Sequence, residues 1–168
     1  MNISLKAVNG WRLRETPFPF QQTYVTPLTD LPRFVHSLLA PFELRRAEVW
    51  IETIVFTPEN LIEYLHAFAI NTNEGELNRA VIHADNALEA KSLLERVLGQ
   101  WIDFAFIPSP KEFVIYADHD EYTTIFAANA EALASLHSDM QRQGFKAVDN
   151  WIWTAPHSPG KIEEGTNV

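Results

Sequence analysis

Three carboxylates and one imidazole stand in four consecutive residues, Asp118-His119-Asp120-Glu121. Oxygen ligands packed this densely suit a hard divalent cation, and an imidazole beside a carboxylate can pass protons. The same residue types also favour a turn, because an Asp side chain accepts hydrogen bonds from the backbone that follows it. The segment falls between two strand-like runs. It is therefore read first as a solvated hairpin turn and second as a binding surface. His83 and Asp85 form a smaller group at a strand-to-helix junction, a place where loops often carry function. There Asp85 or Asn86 serves more simply as a helix cap. His36, His66, His137 and His157 are scattered and lack a ligand spacing such as H-E-x-x-H, so no metal site is legible.

Common catalytic signatures are silent. The six glycines, at 10, 75, 99, 144, 160 and 165, form neither G-x-G-x-x-G nor a P-loop, and no G-x-S-x-G elbow occurs. With no cysteine, thiolate nucleophiles and thiolate metal sites are excluded. The reading leans away from an enzyme, and no cofactor is expected. Of the five tryptophans, Trp50 and Trp101 fall in core-like strands and read as packing. Trp151 and Trp153 share a face of the last strand ahead of a loose tail, where an edge position would offer them to a partner. The acids Glu48, Glu52, Glu59 and Glu63 read as a surface network with Arg45 and Arg46.

The chain of 168 residues has a net charge of −9, carried unevenly: nine acids against seven bases in residues 1–84, thirteen against six beyond. Such a field repels nucleic acid and anionic lipid and favours a basic protein partner. The lack of cysteine fits a reducing cytoplasm. The first ten residues reach Asn9-Gly10 before an apolar signal-peptide core forms, and no apolar run approaches a membrane span.

The elements that must position these groups follow from pattern. Asn9-Gly10 suits a type I′ hairpin between about Ile3–Val8 and Trp11–Glu15. Pro17-Phe18-Pro19-Phe20 reads as loop or edge. A helix is predicted over Leu31–Ala40, capped by Asp30, followed by a two-faced strand over Ala47–Phe56 with Trp50, Ile54 and Phe56 on one side. A second helix starts at Thr57-Pro58-Glu59. After a loop over 71–78 come a strand to Ala84, an Asn86-capped helix closing at Gly99, and a meander of strands at 101–107, 112–116 and 122–127. The last helix, about 130–143, ends in a Gly144-Phe145 Schellman motif before a strand over 146–153.

These elements predict one α+β domain over residues 1–154, with a flexible tail over 155–168. The sheet should be mixed but mainly antiparallel, with a central three-stranded meander and about four helices mostly on one face. In class and composition the chain is similar to immunity-type inhibitors of bacterial toxins, which are small acidic α+β domains. That likeness implies a non-catalytic intracellular protein-binding domain, for which the residues themselves offer Asp118, His119, Asp120, Glu121, Trp151 and Trp153 as contacts. Two alternatives stand beside it: an enzyme or small-molecule or metal-binding protein with a site near His83 and His119, and a homodimerising structural module using an exposed edge.

Overall fold

The computed structural model describes residues 1–4 and 18–148. Its strands are β1 (Asn2–Ser4), β2 (Phe20–Val25), β3 (Arg46–Ile54), β4 (Val81–Ala84), β5 (Ile102–Ser109), β6 (Phe113–Ala117), β7 (Tyr122–Ala127) and β8 (Ala147–Val148). Its helices are α1 (Leu31–Leu39), α2 (Glu59–His66), α3 (Glu74–Leu77), α4 (Ala87–Leu98) and α5 (Ala130–Arg142). The strands form one open sheet in the order β1-β4-β3-β5-β6-β7-β2-β8. Every pairing is antiparallel. The α+β class and the central meander are as the sequence implies. The Asn9-Gly10 hairpin loop, Trp151, Trp153 and the tail lie outside the described residues, as does most of the last expected strand.

Local chemistry explains most boundaries. Asn86 accepts from the Glu89 N–H at 3.0 Å and starts α4, while Gly144 at φ 82° lets the Phe145 N–H reach back to the Met140 carbonyl at 2.9 Å and close α5. The expected loop over 71–78 contains α3, because Asn73 and Glu76 exchange side-chain and backbone hydrogen bonds as a capping box. Two expected caps are used differently. Asp30 binds the Arg33 guanidinium at 2.6 Å instead of the helix backbone, and the Thr57 hydroxyl donates to Glu74 at 2.6 Å. β2 was not evident from sequence. It pairs with β7, where Thr23 and Thr124 share a hydroxyl hydrogen bond of 2.8 Å and Thr26 and Thr123 another.

The helices lie on one side of the sheet. Phe34 and Leu38 of α1, Leu61 and Leu65 of α2, Leu77 of α3, Leu93 and Val97 of α4 and Leu136 and Met140 of α5 join the inward residues of the strands in one core. The opposite face carries a second, smaller buried cluster of Ala105, Val114, Tyr116 and Phe126, against which Phe18, Trp50 and Ile107 pack.

Strand β3 changes phase partway along. Val49 and Ile51 oppose Phe106 and Phe104, but the next pairs are Thr53 with Asp103 and Ile54 with Ile102. Glu52 and Thr53 together therefore stand against Asp103, which is a β-bulge. A strand alternates faces with period two, so one extra residue swaps the faces of everything after it. The expectation that Trp50, Ile54 and Phe56 share a face is corrected accordingly. Trp50 packs on the smaller cluster, Ile54 joins the main core, and Phe56 lies beyond the strand and is exposed. Phe104, fully buried directly after the bulge, anchors this arrangement. Phe104→Ala should cost about 3–5 kcal/mol in urea unfolding, the range for an aromatic removed from a packed core. A loss under about 1 kcal/mol would show that the core does not close around it.

Candidate functional site

The acidic turn joins β6 to β7. The Asp118 N–H donates to the Tyr122 carbonyl at 3.2 Å, and Asp118 Oδ1 accepts from the backbone N–H groups of Asp120 and Tyr122 at 3.1 and 3.2 Å. That is the turn-forming role expected of an Asp. Glu121 occupies the left-handed region at φ 66°, the position that in a three-residue hairpin loop favours glycine. Its carbonyl accepts from the Thr26 N–H at 2.8 Å, which ties the turn to the end of β2.

His119, whose side chain is 40% exposed, is tied back onto the sheet. Its backbone N–H and ring Nδ1 both lie against Asp103 Oδ1, at 2.9 and 2.7 Å. Asp103 is on this face by the alternation of β5, whose Ile102, Phe104 and Phe106 enter the main core, and Glu52 of the β3 bulge is close enough for the two charges to interact. The hydrogen bond to Asp103 raises the imidazole above its ordinary 6.5, with the charges of Asp103, Asp120 and Asp118 adding to it. Burial, then the neighbouring Asp103 charge, raises Glu52. Burial likewise raises Asp118, partly offset by its two backbone donors. The turn therefore comes with two further carboxylates, drawn from β3 and β5.

Beside these acids lies exposed apolar surface. Phe56 is 62% exposed and Trp101 45%, and their rings meet edge to face at 6.0 Å. The Val55 N–H donates to the Trp101 carbonyl at 3.0 Å, so the segment beyond β3 and the residue before β5 are held together. Leu28 and Trp101 line a shallow recess together with Asp118, His119 and Glu121, with Ile102 and Phe104 among its buried residues.

The expected site residues divide. Asp118, His119 and Glu121 meet at the recess, while Asp120 is exposed on the turn, with its carboxylate 3.9 Å from His119 Nε2. His83 is not part of this group. It sits 3.4 Å from Glu48, whose partner on β5 is Ile107. That places it about 13 Å farther along the sheet than the Asp103 level, at ~3.3 Å per residue, and two strands to the side. A joint site of His83 and His119 is therefore not formed. Among the described residues no three His, Asp or Glu side chains converge to hold a metal ion. Sequence reasoning missed Asp103, Glu52, Leu28, Phe56 and Trp101. The expectation that Trp101 is core packing is overturned, because β5 begins one residue later and the indole stays at the surface.

The chain matches no family model, no curated protein and no solved structure with which it was compared. What the arrangement can do is therefore read from its own groups. It can hold cationic groups against carboxylates while apolar surface is buried beside them. The recess lining contains no serine, lysine or cysteine, and the Thr26 hydroxyl there is already bonded to Thr123.

Two measurements follow from this geometry. His119 has a raised folded-state pKa, so its contribution to stability is complete below the unfolded value near 6.5 and fades as pH rises through the folded value. The thermal midpoint of the wild type minus that of His119→Asn should be largest near about pH 6 and shrink toward about pH 8.5. A difference that stays constant over this range would mean that the Asp103 contact is not formed. Second, Glu121→Gly should stabilise the fold by roughly 0.5–1 kcal/mol in chemical unfolding, because the left-handed penalty of a side chain exceeds the extra entropy of glycine. Destabilisation would show that the Glu121 side chain holds the turn.

Proposed function

We propose that this chain is a non-catalytic, intracellular protein-binding domain that takes a basic partner on the surface formed by Phe56, Trp101 and Leu28 together with the Asp118–Glu121 turn. The observation that carries this reading is the position of the exposed Phe56–Trp101 pair on the same rim as the carboxylates of the turn. Aromatic anchors flanked by charge are the composition of binding hot spots, in which apolar contact supplies affinity and charge selects the partner and speeds encounter. The chain's net charge of −9 adds a long-range attraction for a basic protein.

In its sharper form the partner is a basic bacterial toxin and the chain an immunity-type inhibitor. That role needs a surface and not a reaction, which suits a recess lined by acids and apolar groups. The His119–Asp103 hydrogen bond of 2.7 Å favours one other reading, acid/base chemistry on a small molecule. Among the described residues the recess offers no serine, lysine or cysteine nucleophile, and no three His, Asp or Glu are grouped to hold a metal ion.

The test compares defined variants of the immobilised chain in capture from a lysate. A partner supporting the reading is a basic protein retained by the wild type and by an Arg142→Gln control. It should be lost with Trp101→Ala or with Asp118→Asn/Glu121→Gln, and eluted when NaCl rises from about 50 to about 500 mM. Trp101→Ala should cost the partner at least tenfold in affinity, the loss of about 1.4 kcal/mol or more expected of an interface anchor. Equal capture by wild type and Trp101→Ala would sink the surface assigned here. A concentration-dependent dimer that Trp101→Ala abolishes would replace the basic partner with a second copy of the chain.

A further inference from the structure

The face of the sheet opposite the helices is buried along one continuous row. From Ser4 of β1 the cross-strand partners run through Val81, Trp50, Ala105, Tyr116 and Thr124 to Thr23 of β2. Partners on a ladder share a face, and the sequence neighbours Ile82, Phe104, Ile115 and Ile125 enter the main core with the helices. The row therefore points the other way. Yet none of Val81, Ala105, Tyr116, Thr124 and Thr23 is more than 8% exposed. Among the described residues, Phe18, Trp50 and Ile107 pack against the middle of this face. Trp50 and Ile107 belong to the sheet itself and Phe18 is a single ring, whereas the buried row extends from β4 to β2.

The connectivity supplies an occupant. β1 and β2 stand six strand positions apart, about 29 Å at ~4.8 Å per strand, and residues 5–17 join them. The fourteen Cα steps from Ser4 to Phe18 reach roughly 46–50 Å at most, which is enough for a direct crossing. A route over the helices would climb and descend a layer about 10–12 Å thick, and it would deliver Phe18 to the wrong face. The chain after Val148 is tied by β8 at one end and has no such span to make. Charge agrees with the route. Residues 5–17 hold Lys6, Arg12 and Arg14 against Glu15, in a chain with 22 acids and 13 bases. On the face they would cross, Glu48 and Asp103 flank the row on its two sides, because each precedes its row residue by two on antiparallel strands.

We propose that the face opposite the helices is the docking site of residues 5–17, which run along the buried row from β1 to β2 with Trp11 over Ala105. Trp11 is midway between Ser4 and Phe18 in the chain, and β5 is midway between β1 and β2 in the sheet. Ala105 is the smallest residue of the row and stands between Trp50 and Tyr116, which leaves a hollow for a large ring. Val8 and Leu13 add apolar contact on either side of it, and the basic side chains meet Glu48 and Asp103. This docking is independent of the protein-binding rim proposed above, whose aromatic residues lie outside the row, so either can fail without the other.

The experiment is an NMR measurement on the full chain with labelled methyl and aromatic groups. The Trp11 indole protons should show nuclear Overhauser contacts to the Ala105 methyl and the Tyr116 ring, within one copy of the chain. Contacts to these two residues from Trp151 or Trp153 instead would give the face to the C-terminal segment and overturn the proposal. Contacts that arise only between differently labelled copies would give it to a second chain, with the same result. A Glu15 contact to Ser4, the sign of a hairpin that turns back at Asn9-Gly10, would overturn it too. Trp11→Ala should raise the unfolding equilibrium constant in urea at least tenfold, as removal of a packed aromatic does. Leu88→Ala, which trims a side chain 75% exposed, should leave that constant within about twofold. A Trp11→Ala variant as stable as the wild type would show that the ring is not seated on the sheet.

Discussion

One extra residue in β3 is the constraint on which the described surface depends. Up to Ile51 the strand runs in phase with β5, and its odd-numbered residues enter the main core. The bulge at Glu52 and Thr53 then reverses the alternation, so that Ile54 enters the core opposite Ile102. Without that reversal Ile54 would be turned to the opposite face. The bulge also sets Asp103 against two residues instead of one. Asp103, the single acid of β5, accepts both donors of His119. The approach of Glu52 to Asp103 and the placing of the segment after β3 follow from this local irregularity, while the turn is set by the β6–β7 ladder.

Electrostatics divides the sheet along its length. Near the bulge, Glu52, Asp103, Asp118, Asp120 and Glu121 gather with one histidine to offset them, and the ionised forms of Glu52 and Asp118 are disfavoured by burial. At the far end, Arg46 and Lys111 line a cavity that Glu48 and Asp85 also line, so that its charges balance. The chain's overall acidity conceals this balanced end. A net charge describes the long-range field, whereas binding at a cavity depends on which charges there remain unpaired.

The elements legible in the sequence were those whose signals are local. Asn86 with Glu89, Gly144 with Phe145, and the run of short strands after Gly99 each carry their meaning within a few residues, and they form as expected. β2 was not legible, because its partner β7 is about a hundred residues away and its Thr pairs make sense only across that ladder. Nor was the site as a whole. Asp118 to Glu121 stood out as a cluster, but Asp103 and Glu52 looked like ordinary strand acids. Trp101 looked like core because its neighbours are. The bulge erased the signal, since a period-two reading continued through Glu52 gives the wrong face to all that follows. The capping box of α3 was readable as Asn73-x-x-Glu76 and was obscured by the polar residues around it.

Several departures from local preference fall together at one end of the molecule. Glu121 holds a left-handed backbone that glycine would adopt at lower cost, Glu52 keeps a carboxylate where burial penalises its charge, and Phe56 and Trp101 leave large rings in water. Elsewhere propensity and packing mostly agree: the helices present apolar stripes to the core, and the meander strands are buried where they face it. Exceptions occur elsewhere as well, in the left-handed Ala69 and Arg79 and the exposed Leu88, but only here do exposed rings adjoin crowded carboxylates that include a left-handed residue. Burying the two rings against a partner and placing cations beside the acids would relieve the exposed rings and the crowded carboxylates. Such relief is the physical basis on which binding is proposed at this end of the sheet.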